Sequence, residues 1–222
     1  MNKLKPEAII FDLNGTMVDD MAYHTEAWHS IINKELGADL SMEDLKKEMY
    51  GKNEELLVRV FGDQKFSMQE MKQLSLEKEK KYQQAFLPQL KLINGLLPFL
   101  NEAKSNGVKM GIGSAAISFN IDFVLDNLGI RHFFEAIVSA DDVTESKPNP
   151  ETFLKVAELL KVAPQKCIVF EDAPKGVEAA ANAGMQTVVL TTMHQEDEFK
   201  NHNNILFFIK DYTDQNIISF FH

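Results

Sequence analysis

The stretch Ala8-Ile9-Ile10-Phe11-Asp12-Leu13-Asn14-Gly15-Thr16 determines how the rest of the chain is interpreted. Its apolar run, bounded by turn residues, is typical of a strand buried on both faces of a parallel sheet. Such a strand delivers Asp12 to its carboxyl end, which is the edge of an open α/β sheet where ligands bind. We therefore expect the polar residues at other strand ends to assemble around Asp12.

Strand patterns alternate with helical patterns in the second part of the chain. This alternation predicts an α/β fold with a doubly wound parallel sheet. Within it, we expect Pro150 at the first position of a helix. The further strands are predicted at 108–113, 136–139, 167–170, 186–190 and 205–209.

The stretch from residue 21 to residue 86 carries helical patterns and no strand pattern. We expect an inserted four-helix cap, with Asp20 as the N-cap of its first helix, which runs to Leu36. The predicted domains are an α/β core over 1–18 and 88–222 and a cap over 19–87. The linkers at about 15–20 and 87–93 would act as hinges.

Composition limits the classes of partner. The 222 residues are 45% hydrophobic, and the formal net charge of −10 argues against nucleic acid and anionic membranes as partners. No apolar run approaches a membrane span, and the N-terminus leads directly into the first strand without a signal-peptide pattern. The single cysteine, Cys167, suits a reducing compartment. We expect a cytoplasmic monomer that acts on a small molecule.

Four polar residues fall at or just after predicted strand ends, and a fifth, Lys147, lies in the loop that follows the third strand. The four are Asp12, Ser114, Glu171 and Asp172. Carboxylates without histidine or thiol neighbours suit a hard cation, and we expect Mg²⁺. A lysine and a hydroxyl beside them would suit a phosphoryl group, and Asp12 becomes a candidate nucleophile. Each residue alone has an ordinary interpretation as a turn former, a helix cap or a solvated charge. Their joint occurrence at consecutive strand ends is the specific signal.

These residues resemble the four motifs of the haloacid dehalogenase superfamily of phosphotransferases, and the likeness extends over nearly the whole chain. The resemblance implies that Asp12 attacks phosphorus and that Ser114 and Lys147 hold the phosphoryl oxygens. It implies Mg²⁺ bound by Asp12, the backbone carbonyl of Asn14 and Asp172, with Glu171 close by or acting through water. The motifs are Phe11-Asp12-Leu13-Asn14-Gly15-Thr16, Gly113-Ser114-Ala115, Ser146-Lys147-Pro148-Asn149-Pro150 and Val169-Phe170-Glu171-Asp172-Ala173.

The helical insert resembles the cap of the subgroup that contains β-phosphoglucomutases and related sugar-phosphate phosphatases. This resemblance implies substrate contacts at His24, Gly51, Lys52 and Ala115. Glu54 stands where the mutases carry an arginine that grips a second phosphate, and a carboxylate there repels phosphate. The architecture therefore resembles the mutases more closely than the specificity does.

Asn14 is the departure from the family pattern, which has an aspartate at this position as general acid/base. A neutral amide cannot exchange a proton, and such catalysis contributes roughly 10²–10⁴-fold. Slow turnover, loss of turnover, or proton transfer by another group such as His24 all remain open. We expect a Mg²⁺-dependent phosphatase or phosphotransferase for a small phosphorylated metabolite such as a sugar phosphate. The alternatives are a hexose-phosphate mutase and a catalytically impaired binding protein.

Overall fold

A computed structural model describes residues 5–221 of the protein, which form two compact units. One unit combines the chain up to Asp19 with the chain from Lys91 onward, and the other runs from Asp20 to Leu90. The predicted boundaries lie within a few residues of this division, while the role of the second unit as a cap stays a prediction. The N-terminal stretch in which we found no signal peptide begins with residues 1–4, which lie outside the described residues.

The second unit, here called the helical unit, is built from four α-helices around an apolar core that includes Trp28, Leu45 and Leu57. A π-helical turn over Ser30–Glu35 follows the first helix, so the single predicted helix is divided before Gly37. The helices are α1 (Met21–His29), α2 (Met42–Glu48), α3 (Asn53–Phe61) and α4 (Met68–Phe86).

Side-chain caps fix two of these helix starts. The Ser41 hydroxyl accepts a hydrogen bond from the Asp44 N–H at the start of α2, and Ser67 and Glu70 form a reciprocal capping box at α4. Asp20 occupies the predicted N-cap position of α1, although its side chain makes no cap hydrogen bond. Its carboxyl group instead accepts a hydrogen bond from the Tyr82 hydroxyl at 2.5 Å, a partner that tertiary packing brings to this buried side chain.

The other unit, here called the core unit, contains a six-stranded sheet in the order β3-β2-β1-β4-β5-β6, with every neighbouring pair parallel. This confirms the predicted doubly wound α/β fold. The strands are β1 (Ala8–Phe11), β2 (Lys109–Gly113), β3 (Ala136–Val138), β4 (Cys167–Glu171), β5 (Gln186–Leu190) and β6 (Ile205–Ile209).

Helices cover both faces of the sheet. On one face, Ala8 and Ile10 of β1 lie in a cluster with Val156 and Ala180, which belong to two of the helices that pack on the sheet. On the opposite face, the Phe11 ring lies 6.3 Å from Phe99 and 5.2 Å from Phe170, measured between centroids. The helices of this unit are α5 (Leu96–Ser105), α6 (Ser118–Asn127), α7 (Glu151–Leu160), α8 (Pro174–Asn182) and α9 (Gln215–Ile218).

Pro150 precedes α7 as its N-cap residue rather than forming its first residue, which corrects the prediction by one position. Its carbonyl already accepts the Leu154 N–H at 3.0 Å, so it is half included in the helix. In the described part of the chain, no helix is both long and apolar enough to cross a membrane.

Gly111 of β2 provides a test of how tightly α7 packs on the sheet. A Cβ built at this position would lie 2.5 Å from Val156 Cγ1. We expect Gly111→Ala to lower the free energy of unfolding by about 1–3 kcal/mol, measured by urea denaturation, because the core has no room for the added methyl group.

The matched control removes the obstructing methyl groups. Gly111→Ala combined with Val156→Ala should lower the free energy of unfolding by less than the sum of the two single changes. The added methyl group at position 111 then occupies space that Val156→Ala leaves empty. Strictly additive losses would contradict this account of the packing.

Candidate active site

Asp12 follows β1 at the point where the strand order reverses. The chain leaves β1 for β2 and β3 on one side, and later fills β4, β5 and β6 on the other. A crevice opens at the carboxyl ends of strands at such a switch point. The Asp12 N–H donates to the Phe170 carbonyl at 2.9 Å, which extends the β1–β4 ladder to Asp12, and the residue is 7% exposed.

Lys147 connects the carboxyl ends of the two central strands, β1 and β4. Its Nζ lies 2.7 Å from Asp12 Oδ1 and 2.7 Å from Glu171 Oε1. The ammonium also lies 4.5 Å from the centre of the Phe153 ring, and the side chain is buried. A buried ammonium thus holds two buried carboxylates at one edge of the sheet.

Glu171 is fixed on its other side by the backbone. Its Oε2 accepts the N–H groups of Asp172 and Ala173, each at 2.8 Å, just before α8. A Cβ at Gly176 would lie 1.7 Å from Glu171 Oε1, so only glycine leaves room for this carboxylate. Both oxygens of Glu171 are therefore in contacts with the protein.

Ser114 follows β2 and joins the same cluster. Its side chain lies near enough to the Asp12 carboxylate to oppose the rise in the pKa of Asp12, and its Oγ accepts the Ala116 N–H at 3.2 Å. Ala115, between them, is half-buried. The structure thus brings Asp12, Ser114 and Lys147 together, as the strand-end pattern suggested.

Asp172 lies against the loop that follows Asp12. Thr16 Oγ1 donates to Asp172 Oδ1 at 3.3 Å. Gly15 has a φ of +73°, and a Cβ there would lie 2.1 Å from Asp172 Oδ2. Position 15 requires glycine for both its left-handed backbone and this close approach.

Asn14 is half-buried in a short turn of this loop. The Gly15 N–H donates to the Val18 carbonyl at 2.8 Å, and the Met17 N–H donates to the Leu13 carbonyl at 2.8 Å. These backbone hydrogen bonds close the turn and keep position 14 near Asp12.

Two further residues contact this loop and were missed by the sequence analysis. Thr192 donates to the Gly15 carbonyl at 2.6 Å, and Tyr212 donates to the Thr16 carbonyl at 3.0 Å. Thr192 lies just beyond β5, so the strand-end rule that selected Ser114 could have found it. No local sequence pattern points to Tyr212.

Burial dominates the titration of the acidic groups. It raises the pKa of Asp12 to about 6, although the Lys147 ammonium opposes the shift. It also raises the pKa of Asp172 well above its usual range, and the charges of Glu171 and Asp12 add to the effect. Desolvation alone would lower the pKa of Lys147, but the two carboxylates outweigh it and raise that pKa. When all three buried carboxylates are ionised, their charge exceeds that of the single ammonium.

This excess charge fits a divalent cation. Within residues 5–221, no three His, Cys, Asp or Glu side chains form a group that could by itself hold a metal ion. Mg²⁺ does not need such a cage, because it commonly takes one or two carboxylates and completes its shell with water and substrate phosphate. Asp12 and Asp172 fit that pattern, whereas both oxygens of Glu171 are used by Lys147 and backbone N–H groups.

The remaining predicted residues, His24, Gly51 and Lys52, belong to the helical unit. His24 Nδ1 lies 2.6 Å from Lys78 Nζ; because an ammonium only donates, the imidazole accepts this bond. The ring stacks on Tyr82 with centroids 3.7 Å apart. Gly51 forms the turn before α3 with a φ of +72°, and Lys52 directly precedes that helix.

Comparison with known proteins gives a consistent result. A family model described as haloacid dehalogenase-like hydrolase matches residues 9–190. The β-phosphoglucomutase of Bacillus subtilis (strain 168) is 32% identical over 187 residues, covering 82% of this chain and 82% of that protein. The fructose-1-phosphate phosphatase of Escherichia coli (strain K12) is 31% identical over 182 residues, covering 81% and 94%.

A solved structure agrees over almost the full length. The crystal structure of β-phosphoglucomutase from Clostridium difficile has a TM-score of 0.80 and 31% sequence identity, and the match covers 97% of each chain. The likeness therefore includes both the sheet and the helical insert.

The electrostatics predict how the protein without metal responds to pH. Folding raises the pKa of Asp12 from its ordinary value of 3.8 to about 6. The contribution of Asp12 to the free energy of unfolding is therefore fully present below pH 3.8 and is lost as the pH rises through about 6. The shift corresponds to roughly 3 kcal/mol. We expect Mg²⁺ to raise the melting temperature more at about pH 8 than at about pH 5, since ionised carboxylates bind the cation.

Thermal unfolding of Asp172→Asn, with Mg²⁺ or chelator, provides the control. This variant should lose the Mg²⁺ response yet be more stable than wild type in chelator, because it lacks one of the repelling charges. Asp197→Asn, at an exposed carboxylate, should behave as wild type. An equal Mg²⁺ response at both pH values, or one that survives in Asp172→Asn, would refute the site.

Proposed function

The chain belongs to the haloacid dehalogenase-like hydrolase family, and we propose that it is a Mg²⁺-dependent phosphatase or phosphotransferase that acts on a small phosphorylated metabolite through Asp12. Sugar phosphates are the favoured substrate class, because the names of two relatives specify a phosphoglucomutase and a fructose-1-phosphate phosphatase. The observation that carries the proposal is the Lys147 ammonium, 2.7 Å from both Asp12 and Glu171.

In the proposed reaction, an Asp12 carboxylate oxygen forms a bond to phosphorus and the bond from phosphorus to the leaving oxygen breaks. The leaving oxygen takes up a proton and departs as an alcohol. Water then attacks the phosphorus of the aspartyl phosphate, which releases inorganic phosphate and restores the carboxylate. In a transferase reaction, a second hydroxyl group takes the place of water.

The other residues of the cluster hold the phosphoryl group. We assign the Lys147 ammonium and the Ser114 hydroxyl to the phosphoryl oxygens, because Lys147 donates to Asp12 and the Ser114 side chain lies near the same carboxylate. Glu171 orients Lys147. Asp12, Asp172 and the carbonyl of Asn14 would hold Mg²⁺, which when bound neutralises phosphoryl charge.

Substrate selection is proposed for the helical unit, through His24, Gly51 and Lys52, and for the backbone at Ala115. The Lys78 ammonium beside His24 also lies 3.0 Å from both oxygens of Glu79. Its charge is therefore already balanced within the helical unit. Together with Glu54, this favours hydroxyl groups over a second phosphate on the substrate.

Two alternatives have specific support. A hexose-phosphate mutase is favoured by 32% identity to a β-phosphoglucomutase but opposed by Glu54. A binding protein with impaired turnover is favoured by Asn14, which cannot exchange a proton. A panel of phosphorylated metabolites, each with Mg²⁺ or chelator, distinguishes the three: a phosphatase releases phosphate, a mutase interconverts isomers, and a binding protein gives only a thermal shift.

Asp12→Ala should abolish turnover of the best substrate in this panel, because the nucleophile is removed. Phosphate release and isomer conversion are both measured. Asp122→Ala, on the exposed face of α6, is the matched control and should keep full activity. Retained turnover in Asp12→Ala would overturn the covalent mechanism.

Asn14→Asp should raise kcat by at least about tenfold, because it restores a group able to transfer a proton. Steady-state phosphate release measures the effect, and Asn127→Asp, which adds the same charge at an exposed position, should leave kcat unchanged. Peptide mass analysis should verify intact Asn14 in the wild type, since Asn-Gly sequences are prone to deamidation. A lower kcat in Asn14→Asp would show that Asn14 serves a different chemistry.

A further inference from the structure

Hydroxyl groups from two distant segments bind the loop that follows Asp12. Thr192 Oγ1 donates to the Gly15 carbonyl at 2.6 Å, and the Tyr212 hydroxyl donates to the Thr16 carbonyl at 3.0 Å. The two carbonyls are consecutive and come immediately after Asn14. The donors are 177 and 196 residues away in sequence.

These bonds supplement the internal bonds of the loop. The N–H groups of Gly15, Met17 and Val18 are used within the turn, where they donate to Val18 and Leu13. The carbonyls of Gly15 and Thr16 belong to buried residues, and a buried carbonyl without a donor costs free energy. Thr192 and Tyr212 therefore hold these two carbonyl groups, while the bonds within the turn hold its N–H groups.

Packing directs the Tyr212 hydroxyl. The ring stacks on Phe170 at a centroid distance of 5.6 Å and an interplanar angle of 18°, and it also contacts Phe11 and Phe99. The Tyr212 N–H donates to the Asn94 carbonyl at 2.9 Å. Because ring and backbone are both held, removing only the hydroxyl should leave the aromatic cluster in place.

The loop in turn fixes Asp172. The Thr16 carbonyl accepts from Tyr212, while the Thr16 hydroxyl donates to Asp172 Oδ1. The Gly15 backbone lies against the same carboxylate, since a Cβ there would meet Asp172 Oδ2. A shift of Gly15 or Thr16 would therefore displace both Asn14 and Asp172 relative to Asp12.

We propose that Tyr212 and Thr192 are positioning residues that hold the Asn14–Thr16 loop, and through it Asp172, in register with Asp12. The proposal rests on the function proposed above, in which Asp12 is the reacting group. The proposal assigns neither residue a contact with the substrate. Each acts by fixing a backbone carbonyl, so its loss should affect the chemical step more than substrate binding.

The test compares Tyr212→Phe and Thr192→Val with a matched control, Thr191→Val. The Thr191 hydroxyl also donates to a backbone carbonyl, that of Ile209 at 3.3 Å, but it does not touch the loop. We expect kcat to fall about tenfold or more in the first two variants with KM nearly unchanged, because small misplacements at a reacting centre have effects of this order. Thr191→Val should keep the wild-type kcat.

A double variant tests whether both hydroxyl groups act through one loop. Tyr212→Phe combined with Thr192→Val should lose less than the product of the two single losses in kcat, because the first change already releases the loop. Multiplicative losses would show two independent effects and contradict the proposal.

Hydrogen–deuterium exchange of the peptide covering residues 13–18 gives a readout that does not require turnover. Both variants should exchange faster than wild type there, and Thr191→Val should not. If wild type neither releases phosphate nor interconverts isomers, the proposed function fails, while the exchange data still report whether the hydroxyl groups hold the loop. Wild-type exchange in both variants, or equal kcat losses in all three, would overturn the positioning role.

Discussion

The site depends on one interaction, the Lys147 ammonium held between the buried carboxylates of Asp12 and Glu171. A charge removed from water needs a partner of opposite sign, so removing Lys147 would leave both carboxylates without the ammonium that they share. Glu171 is anchored by N–H groups at the start of α8, and this anchor directs Lys147 towards Asp12. Asp172 adds a third carboxyl group at this edge of the sheet, and burial together with the neighbouring carboxylates raises its pKa, so its ionised form lacks a balancing cation. This distribution of charge favours the binding of a cation, together with a phosphoryl group whose oxygens contact the Lys147 ammonium.

Glycines at two positions make this arrangement sterically possible. At Gly15 and Gly176, a Cβ would overlap the carboxylates of Asp172 and Glu171 respectively. The acidic pair that ends β4 is thus enclosed by backbone rather than by side chains. Such close packing fixes both carboxylates through contacts that do not involve the side chain at position 14.

Much of the core unit follows from the sequence, because strand periodicity and parallel topology together bring strand ends to one edge. That reasoning found Asp12, Ser114 and Lys147 as neighbours, although they are far apart in sequence. It did not find Tyr212, whose hydroxyl reaches the loop only through an aromatic cluster assembled by tertiary packing. It placed Asp20 correctly at the N-cap position of α1, but a local capping rule cannot anticipate that Tyr82 takes the carboxylate of this residue. Local rules thus succeeded where periodicity decides position and failed where distant side chains compete.

The central claim is that Asp12 becomes phosphorylated during turnover. Asn14 makes this claim accessible to measurement, because a site without its usual proton-transfer group should hydrolyse the aspartyl phosphate slowly and let it accumulate. The most direct measurement is rapid acid quench during turnover of the best substrate, followed by reduction of acyl phosphates with borohydride and peptide mass analysis. We predict that borohydride reduces the side chain at position 12, which shows that Asp12 carried the acyl phosphate. Steady turnover with an unmodified Asp12 peptide, or with the label on another residue, would contradict it.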